Sequence, residues 1–578
     1  MLTFFHTYAE KAFPALVKSG LWREGDGLKL MHKPSFQPPC DFNAALAPGA
    51  PLETLLKELR CPFYVDRLQG GIGYTRRYPY DAAVIARLRD LLGDRFFGFQ
   101  MHEWASNLRS DEKRIRELCE RENVNENDPA AWAGLWDRVQ TTEWELFLEA
   151  YPPEEWRELT LSEDVSSFLR NAEALYARRS RETVSDLRSP LSFLTPNSEP
   201  RTPNSLLFPA DSYFMAPRTE LANGARLLLP EVGWQIPNLR VQLAFTRGMA
   251  NAAKVPWGIY YECWQNTENA GFTIPFSLRE GQDEWQEDML HKANGASLPF
   301  DRREYGGSSL SLAARAWRFA YFSGASYLGE EYGVCNTFRS LEDASLSPYG
   351  EMKRDFLRFT EAFPDTGSPF VPVAAVLPKE MAMLDIPLGG RWLEYPLTDP
   401  GCPLTEPRSR DFRAAMEAIF GRPGQYGNMG HVLKNGGLPA VCDLIYEDMP
   451  EAMARYDFLI DLTGKGTLSR RYRNVVSAEE ADRALDALLP CRVGRGLTTA
   501  YNRAGDGWFV LVMNNDGVQH DGFLPDVKLP EAAVSAPLTT RSPGMTVKKA
   551  AGDGALQTDG DACILSLQAG EWLLLTVR

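Results

Sequence analysis

The 578-residue sequence predicts an α/β protein built as a (β/α)8 TIM-type barrel, a small flavodoxin-like α/β domain and a C-terminal β-sandwich. Three observations carry this reading. Up to about residue 365, apolar strand-like runs alternate with amphipathic helical stretches across short joints, the pattern of a parallel sheet with right-handed crossovers. Several of those runs end in an acid, as strands do when a barrel builds a site at their C-terminal ends. Beyond about residue 495 the code shortens to alternating strands parted by turn residues, which marks a sandwich.

Taken in order, Leu28-Lys29-Leu30-Met31-His32 reads as a first short strand. A helix opens at Pro51, with Leu55, Leu56 and Leu59 at helical spacing, and Cys61 to Leu68 is the next strand. Asp81 to Leu92 reads as a helix ended by Gly93, handing over to a strand that finishes at Glu103. Residues 108–204 are charged, mostly helical and closed by a Ser/Pro/Asn-rich stretch, so they read as an insertion in one strand-to-helix loop. The alternation resumes at Leu206-Leu207-Phe208 and at Leu227-Leu228-Leu229. A helix from Asn238 to Ala253 then leads into the run ending at Glu262, and a helix from Leu310 to Phe322 into the run before Glu330. Seven or eight strands can be placed.

The predicted boundaries are 1–365 for the barrel, 366–490 for the small α/β domain and 491–578 for the sandwich. Val373 to Leu377, Leu438 to Ile445 and Tyr456 to Ile460 supply strands of the second, with helices at Asp411 to Phe420 and Ala478 to Leu489. Trp508 to Met513, the turn Asn514-Asn515-Asp516-Gly517 and Glu571 to Val577 supply the third.

Acidic side chains outnumber basic ones 77 to 62, and the net charge of −15 argues against nucleic acid or an anionic membrane as partner. The nine cysteines are odd in number, scattered and without Cys-x-x-Cys, so neither a disulfide framework nor a zinc ribbon is indicated. The start Met1-Leu2-Thr3-Phe4-Phe5-His6 has no basic, apolar signal pattern, and a reducing, cytoplasmic compartment is expected. Six histidines form no ligand-like spacing, and no cofactor is expected.

The stretch Val255-Pro256-Trp257-Gly258-Ile259-Tyr260-Tyr261-Glu262-Cys263-Trp264 sets the pattern, seven apolar or small residues running into a glutamate with a tryptophan two places on. Phe96 to Trp104, Leu227 to Trp234 and Tyr327 to Tyr332 share this grammar, which brings Glu103, Glu231 and the pair Glu330-Glu331 to strand ends. Cleaving a glycosidic bond needs one carboxylic acid to protonate the leaving oxygen and one carboxylate to meet the oxocarbenium-like centre. Glu262 is the candidate nucleophile, and Glu103 the candidate acid, held protonated by desolvation. Each glutamate could instead simply cap its strand beside an arginine; as a pair flanked by Trp104 and Trp264 they point to a site. Glu231 could itself be the acid; otherwise it, Glu330 or Glu331 would bind sugar hydroxyls. Neighbours on a strand face opposite ways, so only one of Glu330 and Glu331 can enter a shared pocket. Asp66 and Arg67 end an earlier strand, where sugar binding and a salt bridge at the rim explain them equally well.

The order of barrel, small α/β domain and sandwich resembles the family 42 β-galactosidases and related retaining glycoside hydrolases. Locally, Lys254-Val255-Pro256-Trp257 leading to Glu262 looks like that family's approach to its nucleophile. Ala314-Arg315-Ala316-Trp317-Arg318-Phe319-Ala320-Tyr321-Phe322-Ser323-Gly324-Ala325-Ser326 looks like its helix into the last barrel strand. The resemblance covers most of the chain and implies a carbohydrate substrate. The chain departs from it in one respect: the family's acid/base glutamate follows an asparagine, and the only Asn-Glu here is Asn125-Glu126, in a polar segment.

Elsewhere, Cys442 has no glycine elbow and reads as a buried thiol. Trp234 and Trp257 read as core, and the small domain as structural or as a contact in a homo-oligomer. The expectation is a retaining, exo-acting glycoside hydrolase for small sugars, exo action following from an insertion that walls off one end of the cleft. The alternatives are a non-catalytic carbohydrate-binding protein on a decayed hydrolase barrel, or a barrel enzyme of other chemistry such as a lyase.

Overall fold

A computed structural model describes residues 2–31, 42–66, 81–102, 207–210, 217–218, 221, 225, 227–233, 239–262, 265–266, 272–273, 309–331, 333, 337–377, 407–421, 435–494, 496–515, 533–559 and 562–578. The expected insertion at 108–204 lies outside them, as do Arg67, Glu103, Trp104, Trp234 and Trp264.

Eight parallel strands form the first sheet: β1 (Thr3–Thr7), β2 (Gly27–Met31), β3 (Phe63–Asp66), β4 (Phe96–His102), β5 (Leu207–Ala210), β6 (Glu231–Gly233), β7 (Gly258–Glu262) and β8 (Tyr327–Glu331). Their order, β5-β4-β3-β2-β1-β8-β7-β6, is that of a curled (β/α)8-type sheet, with β1 beside β8. The sequence reading began one strand late. Thr3-Phe4-Phe5-His6-Thr7 is the central strand β1.

Four helices of this region form where the periodicity places them, and a fifth, Pro348–Ala362, was not among the expected elements. In α1 (Pro51–Leu59) a proline opens the first turn and Leu52 and Leu56 face inward. Asp81 caps α2 (Ala82–Leu92) by accepting from the Ala83 amide at 2.8 Å. Helices α3 (Leu239–Ala253), α4 (Ser309–Phe322) and α5 (Pro348–Ala362) follow, the last with Ser347 as its cap.

Successive side chains on a strand point to opposite faces. The outward set (Phe4, Val232, Ile259, Tyr261, Leu328) packs with the helices in the largest apolar cluster, where Trp317 of α4 meets Phe4, Tyr261 and Phe356 at ring separations of 5.2–5.7 Å. The inward set is a separate cluster of Phe5, Tyr64, Leu227, Leu229 and Tyr260, with Phe97 and Tyr327 against it. Gly258 allows β7 to lie this close to β8, since a Cβ there would stand 2.1 Å from the Tyr327 carbonyl oxygen.

A polar belt also lies on the outward side. Glu330 accepts from Lys353 Nζ and from the Tyr349 hydroxyl of α5, each at 2.6 Å. Lys353 Nζ in turn lies 4.5 Å from the Phe4 ring centre. Next to it, His6 Nε2 meets Asp26 Oδ2 at 3.2 Å, while Arg23 donates to both Asp26 oxygens and to Thr360 Oγ1. These bonds tie β1, the turn before β2, β8 and α5 together.

The second sheet holds β9 (Val373–Leu377), β10 (Cys442–Tyr446), β11 (Phe458–Asp461) and β12 (Val475–Val476), parallel and ordered β10-β9-β11-β12. That is the start of the flavodoxin-like 2-1-3-4 order. Two buried arginines of α3 tie that helix to this sheet and to the segments leading into it. Arg247 Nε donates to Asp443 Oδ1 at 2.7 Å, and Arg240 donates to the carbonyls of Phe420, Gly436 and Leu438. A Cβ at Gly248 would stand 2.4 Å from the Leu444 carbonyl oxygen, so helix and strand are in backbone contact.

The C-terminal region is antiparallel. Ser368–Pro369, Thr498–Ala504, Gly507–Met513, Trp572–Val577 and Val547–Gly552 form one sheet in that order. Cys491–Val493, Val534–Thr540, Ala562–Leu567 and Ala555–Asp559 form the other. Both feed the same apolar cluster as the helices. Helix α4 joins them: Arg315 donates to Asn515 Oδ1 at 2.8 Å and to the Gly570 carbonyl at 3.0 Å, and Arg318 lies 4.4 Å over the Trp572 ring. Burial pushes the guanidiniums of Arg240, Arg315 and Arg318 down to about 10, which leaves them charged at neutral pH. No helix among the described residues is long and apolar enough to cross a membrane.

Substitutions at two ion pairs and at one buried histidine test these contacts. Arg247→Ala strands the Asp443 carboxylate beneath α3 and should lower the unfolding free energy by about 3–5 kcal/mol in urea titrations. Arg354→Ala, which breaks the half-buried pair with Glu351, should cost about 1 kcal/mol or less. The third concerns His6, whose imidazole is held below its ordinary value chiefly by burial and then by Lys353, against the pull of Asp26. A histidine with a depressed folded pKa stays neutral in the fold while the unfolded chain takes up the proton. Stability should therefore be lost as pH falls below the unfolded value, by at most about 1.4 kcal/mol per pH unit from this group. His6→Gln should flatten that slope between neutral and mildly acidic pH, and an unchanged slope would show that another group sets it.

Candidate functional site

Above the inward aromatic cluster, the same alternation lifts polar side chains toward the C-terminal ends of the strands. Two places beyond Phe5 comes Thr7; beyond Tyr64, Asp66; beyond Leu229, Glu231; and beyond Gly329, Glu331. Register adds two more, since Thr7 and Tyr64 both pair with Lys29, and Asp66 pairs with Gln100. Thr7, Lys29, Asp66, Gln100, Glu231 and Glu331 are all buried, none above 5% exposure. Charged residues are almost never buried this fully without a partner or a task.

One part of this group is tightly bonded. Lys29 Nζ stands 2.9 Å from Asp66 Oδ2, the Tyr260 hydroxyl donates to the same oxygen at 2.6 Å, and Lys29 Nζ reaches the Tyr260 oxygen at 3.2 Å. The three span β2, β3 and β7, so the bond network crosses the interior of the sheet. Both donors use the same carboxylate oxygen. Asp66 Oδ1 has no hydrogen-bond partner among the described residues, nor do either amide atom of Gln100 or Thr7 Oγ1. Nearby, burial first and Asp66 second push the Tyr64 phenol well above its ordinary value, so it remains a protonated donor.

The expected site residues divide. Glu262 is the last residue of β7 and the register partner of Glu331 on β8. Neighbouring strands lie about 4.8 Å apart, so these two glutamate positions adjoin on one wall. Glu231 opens β6 instead of closing it, in register with Tyr260, and its carbonyl accepts from Gln242. The run Leu227-Leu228-Leu229 precedes that strand and makes only a bridge from Leu228 to Trp257. Asp66 faces inward, and its ion pair is with Lys29, a partner the sequence reading did not name. Glu330 and Glu331 face opposite ways, as strand geometry requires, and it is Glu330 that turns to the helices and pairs with Lys353. Arg67, Glu103, Trp104 and Trp264 are outside the described residues.

Lys29, Gln100, Tyr260 and Thr7 are the residues sequence reasoning missed. Lys29 carried a signal: a lysine inside Leu28-Lys29-Leu30 is a charge on the second face of a strand whose first face is apolar. Among the described residues no group of three or more His, Cys, Asp or Glu is placed to hold a metal ion. Cys442 and Trp257 are buried, as read, and burial pushes the Cys442 thiol far up, which makes it unreactive.

No family model matches the chain, and no curated protein matches it in sequence. Among solved structures it is similar to the catalytic module of a family 98 glycoside hydrolase from Streptococcus pneumoniae, with 9% identity over 100% of this chain and 98% of that one and a TM-score of 0.39. It is similar to a GH42 β-galactosidase from G. stearothermophilus, with 10% identity, the same coverages and a TM-score of 0.44. An α-L-fucosidase from Paenibacillus thiaminolyticus shows 8% identity over 100% of both chains and a TM-score of 0.39.

Proposed function

We propose that the chain is a retaining glycoside hydrolase whose barrel closes between β5 and β6 and works on a small oligosaccharide or glycoside at the C-terminal rim. The observation that carries the reading is a glutamate on each of three adjacent strands, with Glu262 and Glu331 in register and Glu231 one step below. In this reading the barrel takes residues 1–365, the small α/β domain 366–490 and the sandwich 491–578. The insertion at 108–204 limits the cleft to exo action.

Glu262 is the nucleophile. Its carboxylate attacks the anomeric carbon as the bond to the leaving oxygen breaks, and a carboxylic acid gives that oxygen its proton. The same acid, now a base, takes a proton from the water that releases the sugar with its original anomeric configuration. Glu103, one residue beyond the end of β4, is the acid, with Glu231 the alternative. Glu331 and Asp66 hold sugar hydroxyls, with Arg67, Trp104 and Trp264 beside them. Glu330, engaged by Lys353 and Tyr349, serves the fold.

Turnover of a panel of nitrophenyl glycosides tests the assignment. Glu262→Gln should abolish hydrolysis while keeping sugar binding, because it removes charge and keeps shape. Glu103→Gln should slow natural glycosides by about 10²–10⁴-fold and nitrophenyl glycosides far less, since a good leaving group needs little proton donation. Azide should restore part of the rate by attacking the glycosyl-enzyme. The same pattern in Glu231→Gln instead would move the acid to β6. Unchanged turnover in all three variants would leave a carbohydrate-binding protein.

A further inference from the structure

The inward wall made by β3 and β4 carries more hydrogen-bonding capacity than the protein itself uses. Asp66 and Gln100 are register partners, fully buried and on the same face. Lys29 and Tyr260 fix one carboxylate oxygen of Asp66, which leaves Oδ1 as an oriented acceptor without a partner among the described residues. The Gln100 amide beside it offers a donor and an acceptor, both without a partner among the described residues. Leaving a buried polar atom unmade costs more than a made bond gains. Three such atoms on adjoining strands are therefore an expensive arrangement for a wall that only had to be filled, and an apolar pair would do that better.

We propose that Asp66 Oδ1 and the Gln100 amide form a two-point subsite for adjacent hydroxyl groups of a sugar, with Lys29 and Tyr260 as the residues that position Asp66. The subsite rests on the sugar-cleaving reading of the barrel. Asp66 Oδ1 accepts from one hydroxyl, and Gln100 accepts from or donates to its neighbour. Adjacent strands place two side-chain ends at a separation that suits vicinal hydroxyls of a pyranose ring. Held on one oxygen by two donors from β2 and β7, Asp66 cannot swing away from an incoming hydroxyl, so the ordering cost is met before binding. A site built in this way rejects an analogue lacking the hydroxyl, because its own buried atoms are then left unpaired.

Gln100→Met tests this in the full chain, since it keeps the side-chain length and removes only the amide. A panel of free monosaccharides is titrated calorimetrically against wild type and variant, followed by the monodeoxy analogues of the sugar that binds best. The variant should bind that sugar about tenfold or more weakly, the loss expected for one hydrogen bond. One monodeoxy analogue should bind both proteins equally, and the ligand-free melting temperature of the variant should equal or exceed that of wild type. Equal affinities of the two proteins for the intact sugar overturn the subsite and leave the glycosidase reading standing. A melting temperature lowered by several degrees with sugar affinity unchanged assigns the amide to the fold, through internal water. Failure of every monosaccharide to bind wild type removes the sugar-site reading itself, and the subsite with it.

Discussion

A strand buried on both faces gives each polar side chain two places to go and no solvent in either. The eight parallel strands of the first sheet impose that constraint on Lys29, Asp66, Gln100, Glu231, Glu330 and Glu331, and strand alternation decides where each one goes. Outward, Glu330 meets a helix that brings Lys353 and Tyr349 to it. Inward, Asp66 finds one lysine and one tyrosine, and beyond them the wall holds polar atoms that the described residues do not pair. The outward charges close upon one another; the inward ones do so only in part.

Much of the secondary structure was legible because many elements announced themselves locally. Pro51, Asp81 and Gly93 mark helix boundaries by backbone chemistry that does not depend on tertiary context, and the structure starts or stops its helices at those points. The apolar runs before Glu262 and Glu330 became β7 and β8 because few other structures can bury so continuous a stretch. Legibility ended where the signal was shared between segments far apart in sequence. The strand Thr3–Thr7 is stabilised by Asp26 and by β8, more than 300 residues away, so nothing within its own five residues distinguishes it. The small Ser368–Pro369 strand, placed by pairing with Asn502 and Arg503, failed for the same reason.

The site was legible in type more than in membership. Acids at strand ends were visible, and alternation already required Glu330 and Glu331 to part. Which of the two turned inward depended on the register of β8 against β7, a long-range quantity. Lys29 and Gln100 escaped notice because neither stands at a strand end followed by tryptophan, the pattern used to find the acids. They matter through what lies opposite, since Lys29 acts on Asp66 from the next strand and Gln100 shares its register.

The arginines on α3 and α4 have a consequence for synthesis on the ribosome. Arg240, Arg247, Arg315 and Arg318 are translated long before their partners, which are the Phe420, Gly436 and Leu438 carbonyls for Arg240, Asp443 for Arg247, Asn515 and Gly570 for Arg315, and Trp572 for Arg318. Until those partners emerge, one side of each helix keeps its guanidiniums hydrated and its apolar flank open. The nascent parallel sheet and its helices cannot acquire their finished outer surface while the last tenth of the chain is still inside the ribosome. A premature stop near residue 500 would therefore release a polypeptide with an intact set of barrel strands and an uncovered face on α4, a substrate for chaperones and proteases and not a smaller working protein.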